Sequence, residues 1–452
     1  MSDESADDFS ALAGMMALAR ENARRELVES HLPHALAARR RRRRRRLTST
    51  GIVGLVVAAV VGTYIPVTLL ASPAAAIAVV ETPALEIPAA VTLALPEVGA
   101  SVVIVAGAEQ FLGEDGIIAS SGGNDPRPIA SITKVITSLV ILDAYPIAPT
   151  AAGPSITFSE ADADLYDEYY VKQASVWPLK AGSAMPLRDA LHVMLVVSAT
   201  NYADAVTRWA FGSHANFVSA TRSWLEDNGL SGTTIVEPTG LDPRNLSTPT
   251  DLVAIGKLAM ANPVVAEMVN TSSLVGANGA GWPNTNGLLG VDGINGIKTG
   301  TLDAAGACLL FSALVDVAPG VQLSVIGVVL GGDNHYQVDN AVRALLASVR
   351  AGFHEVPVLT EGQKLGTYRT PWGDEALLVA AQDASVFTWS DMPIQWSIST
   401  DEVESAETGE VVGEAKFISG DSVVTVPLKL DGHISGPDDW WRLTHPAELL
   451  GL

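Results

Sequence analysis

The chain has 452 residues, with 28 Lys and Arg against 50 Asp and Glu and a net charge of −22, a length that holds two or three domains and a sizeable core. Its one cysteine, Cys308, excludes an intrachain disulfide framework. Residues 1–50 hold 11 Arg and 7 Asp or Glu, net +4, which leaves −26 for residues 51–452; so acidic a body has little with which to neutralise nucleic-acid phosphates, and no nucleic-acid partner is expected.

Residues 1–46 read as a cytoplasmic tail ending in eight consecutive arginines at 39–46. A short amphipathic helix near residues 9–28 and a loosely ordered tail both fit its composition. No charged residue occurs from Leu47 to Val80. Residues 47–72 therefore read as a transmembrane helix, because residues 51–70 (GIVGLVVAAVVGTYIPVTLL) supply the ~20 apolar positions that a bilayer crossing needs. Basic flanks stay in the cytoplasm, which places the N-terminus inside and the body outside. The arginine run alone would also suit nucleic acid or a localisation signal, and ASPAAA at 71–76 offers small residues for signal cleavage. A polar leader as long as residues 1–46 favours an uncleaved anchor. Residues 73–98, rich in Ala, Pro, Val and Thr, read as a linker. The catalytic domain is expected at 99–354 and a small β domain at 355–452, where apolar and polar residues alternate between Gly and Asp.

Within the catalytic domain SVVIVA, residues 101–106, reads as a buried strand that residues 116–120 could pair with. Next comes PIASITK (residues 128–134), then VITSLVIL. Ile132, Val135, Ile136, Leu139 and Leu142 follow helical spacing, so Ser131 stands at a helix start with Lys134 on the same face. A serine hydroxyl needs a neighbour to take its proton. A lysine does so only when burial or a second cation lowers its pKa, and a helix N-terminus aims N–H groups at a developing oxyanion. The second element, HVMLVVSATNYADA at 192–205, reads as an apolar helix interrupted by Ser198 and Asn201, polar groups that need partners when buried. The third, GINGIKTGT at 293–301, precedes the apolar stretch 306–315. On an edge strand, Lys298, Thr299 and Gly300 offer an ammonium, a hydroxyl and close backbone approach.

Three such elements in this order resemble the penicillin-binding and serine β-lactamase superfamily. RPIASITKVIT (127–137), EPTGLDPRNLSTPTDL (237–252), NTNGLL (284–289) and GINGIKTGTLDAAGACLLFSA (293–313) resemble, more narrowly, the serine D-alanyl-D-alanine carboxypeptidases among the low-molecular-mass penicillin-binding proteins. The resemblance covers residues 101–353, with a weaker match at GTYRTPWG, 366–373. It implies an α/β transpeptidase-like domain: a five-stranded antiparallel sheet flanked by helices, with a helical insertion, then the small C-terminal β domain. It further implies Ser131 as nucleophile toward the bond between the two terminal D-alanines of peptidoglycan stem peptides, with β-lactam antibiotics as acylating ligands. Lys134 would be the general base, and Ser198 would pass a proton to the leaving amine with help from Lys298. Lys298 and Thr299, with Gly300 and Thr301 on the same strand, would hold the substrate's carboxylate end. The N–H groups of Ser131 and Thr301 would form the oxyanion hole. No metal or organic cofactor is implied.

Two departures stand out. The middle motif of the family is Ser-x-Asn, but Thr200 occupies its third place and the asparagine is Asn201; one residue turns a side chain by about 100° on a helix. Both are carried as substrate-binding candidates. The carboxylate-binding arginine of some members is also missing from GGDNHYQ at 331–337. A D,D-endopeptidase, a β-lactamase-like hydrolase and a catalytically weak penicillin-binding scaffold therefore stand as alternatives. Class A β-lactamases need an asparagine four residues after their glutamate, where Glu237 is followed by Leu241. Cys308 reads as core, Trp440 and Trp441 as packing in the β domain, and His335 as a surface loop residue. The acidic run Glu160, Asp162 and Asp164 lacks the glycine and closing glutamate of a calcium loop and reads as a solvated face.

Overall fold

The first helix, α1 (Ala6–Leu70), runs unbroken from the acidic start of the chain through the arginines and the apolar stretch. Ala, Leu, Arg and Glu are good helix formers, so the segment that composition left between short helix and loose tail is helical from Ala6 onward. The part from Arg40 to Leu70 is long and apolar enough to cross a membrane. This computed structural model describes residues 6–106, 117–276, 279–420 and 422–451.

The stretch read as a linker is built into the fold instead. β1 (Ala78–Val80) pairs antiparallel with Lys364–Arg369, and Ala76 bridges Val403. Ala76 and Ala78 are buried while Ile77 and Val79 are exposed, the period of two of a strand with one covered face. Further on, Val91, Leu93 and Leu95 pack against the core beneath the central sheet.

That sheet contains β2 (Ala100–Ala106) and β3 (Ile117–Ser121) early in the domain; Gly116 of the expected pairing strand lies outside the described residues. Helices α2 (Thr133–Ala144), α3 (Leu187–Val196), α4 (Thr200–Phe211) and α5 (Pro249–Ala261) follow. Then come β4 (Ile294–Leu302), β5 (Gly306–Ala318), β6 (Val321–Gly332) and α6 (His335–Gly352). The five strands lie in the order β4-β5-β6-β2-β3, every neighbour antiparallel. This is the α/β architecture that the resemblance implies, with β4 at an edge. α2 is buried from Thr133 to Leu142, as a helix apolar on nearly all sides must be. It shares one core with α3, α4, α5 and one sheet face. The other face is covered by α6 through Val338, Val342, Leu345, Leu346 and Val349. Cys308 is buried in β5, where burial pushes its thiol up to about 11.

Phe353–Leu359 leads into the β domain and pairs with Ala384–Trp389. A six-stranded sheet follows, and its own core includes Leu378, Phe417, Val426 and Leu428. Its last segment turns back to α1: Arg442 Nη1 donates to Ala71 O at 2.6 Å, and Tyr64 Oη donates to Leu443 O at 2.6 Å. Trp441 packs on Trp372 and His445, but Trp440 is 74% exposed. The expected packing thus holds for one of the two tryptophans, because a six-residue helix, Asp439–Thr444, can turn only one side inward.

Candidate active site

Ser131 lies in a 3-10 turn, Ala130–Ile132, that runs directly into α2. The turn is tight: Ala130 has φ +47°, in a region disfavoured for residues with a Cβ. Two glycines close on it. A Cβ on Gly240 would stand 2.0 Å from Ala130 O, and one on Gly300 would stand 2.9 Å from Ile129 O and 3.3 Å from Ser131 N. Only residues without side chains let the loop at 237–245 and the edge strand β4 grip the serine from two sides.

Three residues on, Lys134 is fully buried, and its Nζ donates to Ser131 Oγ at 3.0 Å and to the carbonyl of Thr239. Burial brings its pKa down to about 8, with Glu237 opposing the shift. Glu237 also shapes the loop that supplies Thr239 O. Its carboxylate accepts from Thr239 N and Oγ1, Gly240 N and Asn245 Nδ2 at 2.6–2.8 Å. Asn245, buried, additionally reaches Thr133 Oγ1 at 3.3 Å and so ties the loop to the first turn of α2.

The third element comes from the sheet edge. Lys298, 1% exposed, donates to Thr285 Oγ1 at 2.9 Å, and Thr299 Oγ1 donates to the same oxygen at 2.8 Å. The Thr285 N–H donates to Val196 O at the end of α3, so this threonine joins β4 to the segment carrying Ser198. Burial depresses the Lys298 pKa strongly, and the neighbouring Lys134 charge depresses it further. Two ammonium groups this close and this dry cannot both be charged at low cost.

Ser198 lies where the sequence reading has the apolar helix interrupted. The apolar helix is broken there into α3 and α4, and Ser198 occupies the turn with φ +60°, 4% exposed. Such a conformation costs on the order of 1–3 kcal/mol and clusters at functional sites. Thr200 opens α4 with its side chain buried. Asn201 requires a correction. Its Nδ2 donates to Trp177 O at 2.8 Å and its Oδ1 accepts from Trp177 N at 3.1 Å. Both ends of the amide are committed to the backbone, because the extra residue turns the side chain away from the position the motif asparagine would take. The structure thus gives Asn201 a structural role: it fastens the loop at Trp177.

His335 is also not a free surface residue. It starts α6, behind the Asn334 cap, and its Nε2 lies 2.6 Å from Thr301 Oγ1. Sequence reasoning assigned no role to Glu237, Asn245, Thr285 or His335. The quoted motifs contained the first three, and Asn334 three residues before Gln337 is a legible helix cap. Serine, buried lysine, second lysine and edge-strand amides together suit acyl transfer through a covalent serine ester.

Comparison with known proteins agrees with this chemistry. A model of the D-alanyl-D-alanine carboxypeptidase family matches residues 95–334. The D-alanyl-D-alanine carboxypeptidase DacD of Escherichia coli (strain K12) is 29% identical over 266 residues, 57% of this chain and 66% of the relative, just short of two thirds of its length. A D-alanyl-D-alanine endopeptidase of the same strain is 26% identical over 258 residues, 56% of this chain and 77% of the relative. Penicillin binding protein 6B from Escherichia coli shares the fold, with a TM-score of 0.52 and 23% identity over 76% of this chain and 99% of that one. Matched over more than half its length, from β2 through the sheet edge to the start of α6, the chain belongs to the D-alanyl-D-alanine carboxypeptidase family of serine hydrolases.

Proposed function

We propose that this protein is a membrane-anchored serine D,D-carboxypeptidase that removes the terminal D-alanine from peptidoglycan stem peptides and is acylated by β-lactams. The observation that carries the reading is the fully buried Lys134 amine 3.0 Å from the Ser131 hydroxyl. Neutral Lys134 takes the Ser131 proton as Oγ bonds to the carbonyl carbon between the two D-alanines. The N–H groups of Ser131 and Thr301 hold the oxyanion, worth about 2.7–4 kcal/mol per donor. Ser198, supported by Lys298, passes a proton to the departing amine, and the C–N bond breaks. Water then adds to the acyl-serine and restores Ser131 Oγ–H. Lys298, Thr299 and Thr301 receive the substrate's carboxylate, and Thr200 offers a hydroxyl beside Ser198.

The apolar part of α1 serves as a single-pass anchor, with the arginine run holding the N-terminus in the cytoplasm and both folded domains outside. A D,D-endopeptidase is the second reading, favoured by the relative of that name. Its chemistry is the same, and only the leaving amine differs. The test is covalent labelling with a fluorescent penicillin alongside D-alanine release from a stem pentapeptide and cleavage of a cross-linked dimer. Labelling and release that both vanish in Ser131→Ala are expected; D-alanine release that survives this substitution overturns the proposal.

A further inference from the structure

One titratable side chain in the cleft has no part in the mechanism above. His335 Nε2 meets the hydroxyl of Thr301, while its Nδ1 is buried without a hydrogen-bond partner among the described residues. Thr299 and Thr301, two apart on β4, share one face of the strand. The ring therefore stands at the strand edge where Thr299 and Lys298, both bound to Thr285, present their donors. α6, an 18-residue helix, directs the positive end of its dipole toward the same place.

We propose that His335 is a positioning and specificity residue for the substrate's terminal carboxylate. Neutral, it fixes the Thr301 hydroxyl; protonated, it adds a positive charge at the anion-binding end of the cleft, so substrate binds more tightly in mild acid. The proposal rests on reading the site as that of a carboxypeptidase. Two charged groups face the ring, Lys298 on β4 and Asp339 one turn along α6. In the free protein burial holds the ring below its ordinary value of 6.5, Lys298 adds to that push, and Asp339 opposes it. A carboxylate arriving between Lys298 and His335 supplies the missing negative charge and favours the protonated ring. A group that gains a proton on binding makes binding stronger as pH falls.

The test measures KM and kcat for D-alanine release from a stem pentapeptide by the full chain in detergent, from about pH 5.5 to about pH 8. Wild type, His335→Gln and His335→Arg are compared, each checked for stoichiometric penicillin labelling. In the wild type KM is expected to rise about tenfold across this range with a much smaller change in kcat. KM of the Gln variant stays high and flat, and that of the Arg variant low and flat. A wild-type KM independent of pH, or an unaltered slope in the Gln variant, overturns the proposal. Should the Gln variant not label, the Arg variant decides: a retained slope there overturns it equally. Absence of both release and labelling in the wild type overturns the carboxypeptidase reading along with it.

Discussion

Replacing Asn201 by alanine separates a structural asparagine from a substrate-binding one. The change leaves the N–H and C=O of Trp177 without their partners at 3.1 and 2.8 Å. Each buried group left unpaired costs about 1–3 kcal/mol. Trp177 is half-buried, its ring 4.9 Å from that of Trp282, so water recovers part of the loss and about 2–4 kcal/mol remains. In a domain of this size that lowers the melting midpoint by roughly 5–12 °C. The assay is thermal unfolding together with the second-order rate of penicillin acylation well below the melting range. The midpoint should fall by that amount while the rate of the folded variant stays within about threefold of wild type. A rate lowered by more than about 30-fold with an unchanged midpoint would show that the amide serves the substrate and that the contacts to Trp177 are incidental.

Other consequences concern the grip on the serine, the lysine pair and a buried carboxylate. Gly300→Ala places a Cβ 2.9 Å from Ile129 O, 3.1 Å from that of Ala130 and 3.3 Å from Ser131 N; the backbone around Ser131 must shift, so acylation should fall about 100-fold and the melting midpoint should fall with it, and a wild-type rate would refute the close fit. With a penicillin that bears a carboxylate, the acylation constant should stay level through neutral pH and decline as pH rises through about 8, the value at which Lys134 releases the pair's proton. A constant that climbs through that pH instead would mean that Lys298 keeps its own charge throughout. Asp204, buried, accepts from Tyr169, Arg208 and His214, and its bond to the imidazole raises the His214 pKa above 6.5. A raised histidine contributes stability that is fully present below its unfolded value and lost as pH rises through the folded one. The urea midpoint should therefore drop as pH rises above 6.5 in wild type and not in His214→Gln.

The Ser131–Lys134 contact was legible because a helix has a period: two residues at three residues' separation share a face. The edge strand was legible from Lys298-Thr299-Gly300 entering an apolar run. An interruption at Ser198 was legible, but its left-handed turn was not, since no glycine or proline marks it. Asn201 showed that its phase was wrong by one residue, but its actual partner lies in the loop at Trp177, 24 residues earlier. Glu237, Asn245 and Thr285 act through hydrogen bonds to groups fixed by chain folding, such as Thr239 N and Val196 O. No spacing encodes those. β1 escaped notice because three residues, Ala78–Val80, are too few for alternation to rise above a composition that also suits a linker.

The chemistry depends on where one proton resides. Lys134 and Lys298 are both buried, the Lys134 charge lowers the affinity of Lys298 for a proton, and the carboxylate that favours a charged Lys134, that of Glu237, also accepts from loop amides. Of the two, Lys134, with Glu237 on its side, is the one the surroundings favour as the cation. On the proposed mechanism a cationic Lys134 cannot take the Ser131 proton. A substrate carboxylate docking on Thr299 and Lys298 adds negative charge at the other lysine and draws the proton there. On the proposed reading, Lys298 then becomes the cation that binds the substrate, and Lys134 the neutral amine that accepts from Ser131 Oγ. By this account the same carboxylate that identifies a chain terminus also switches on the nucleophile. A ligand without a carboxylate, however well it fits, leaves the proton on Lys134 and the serine unreactive.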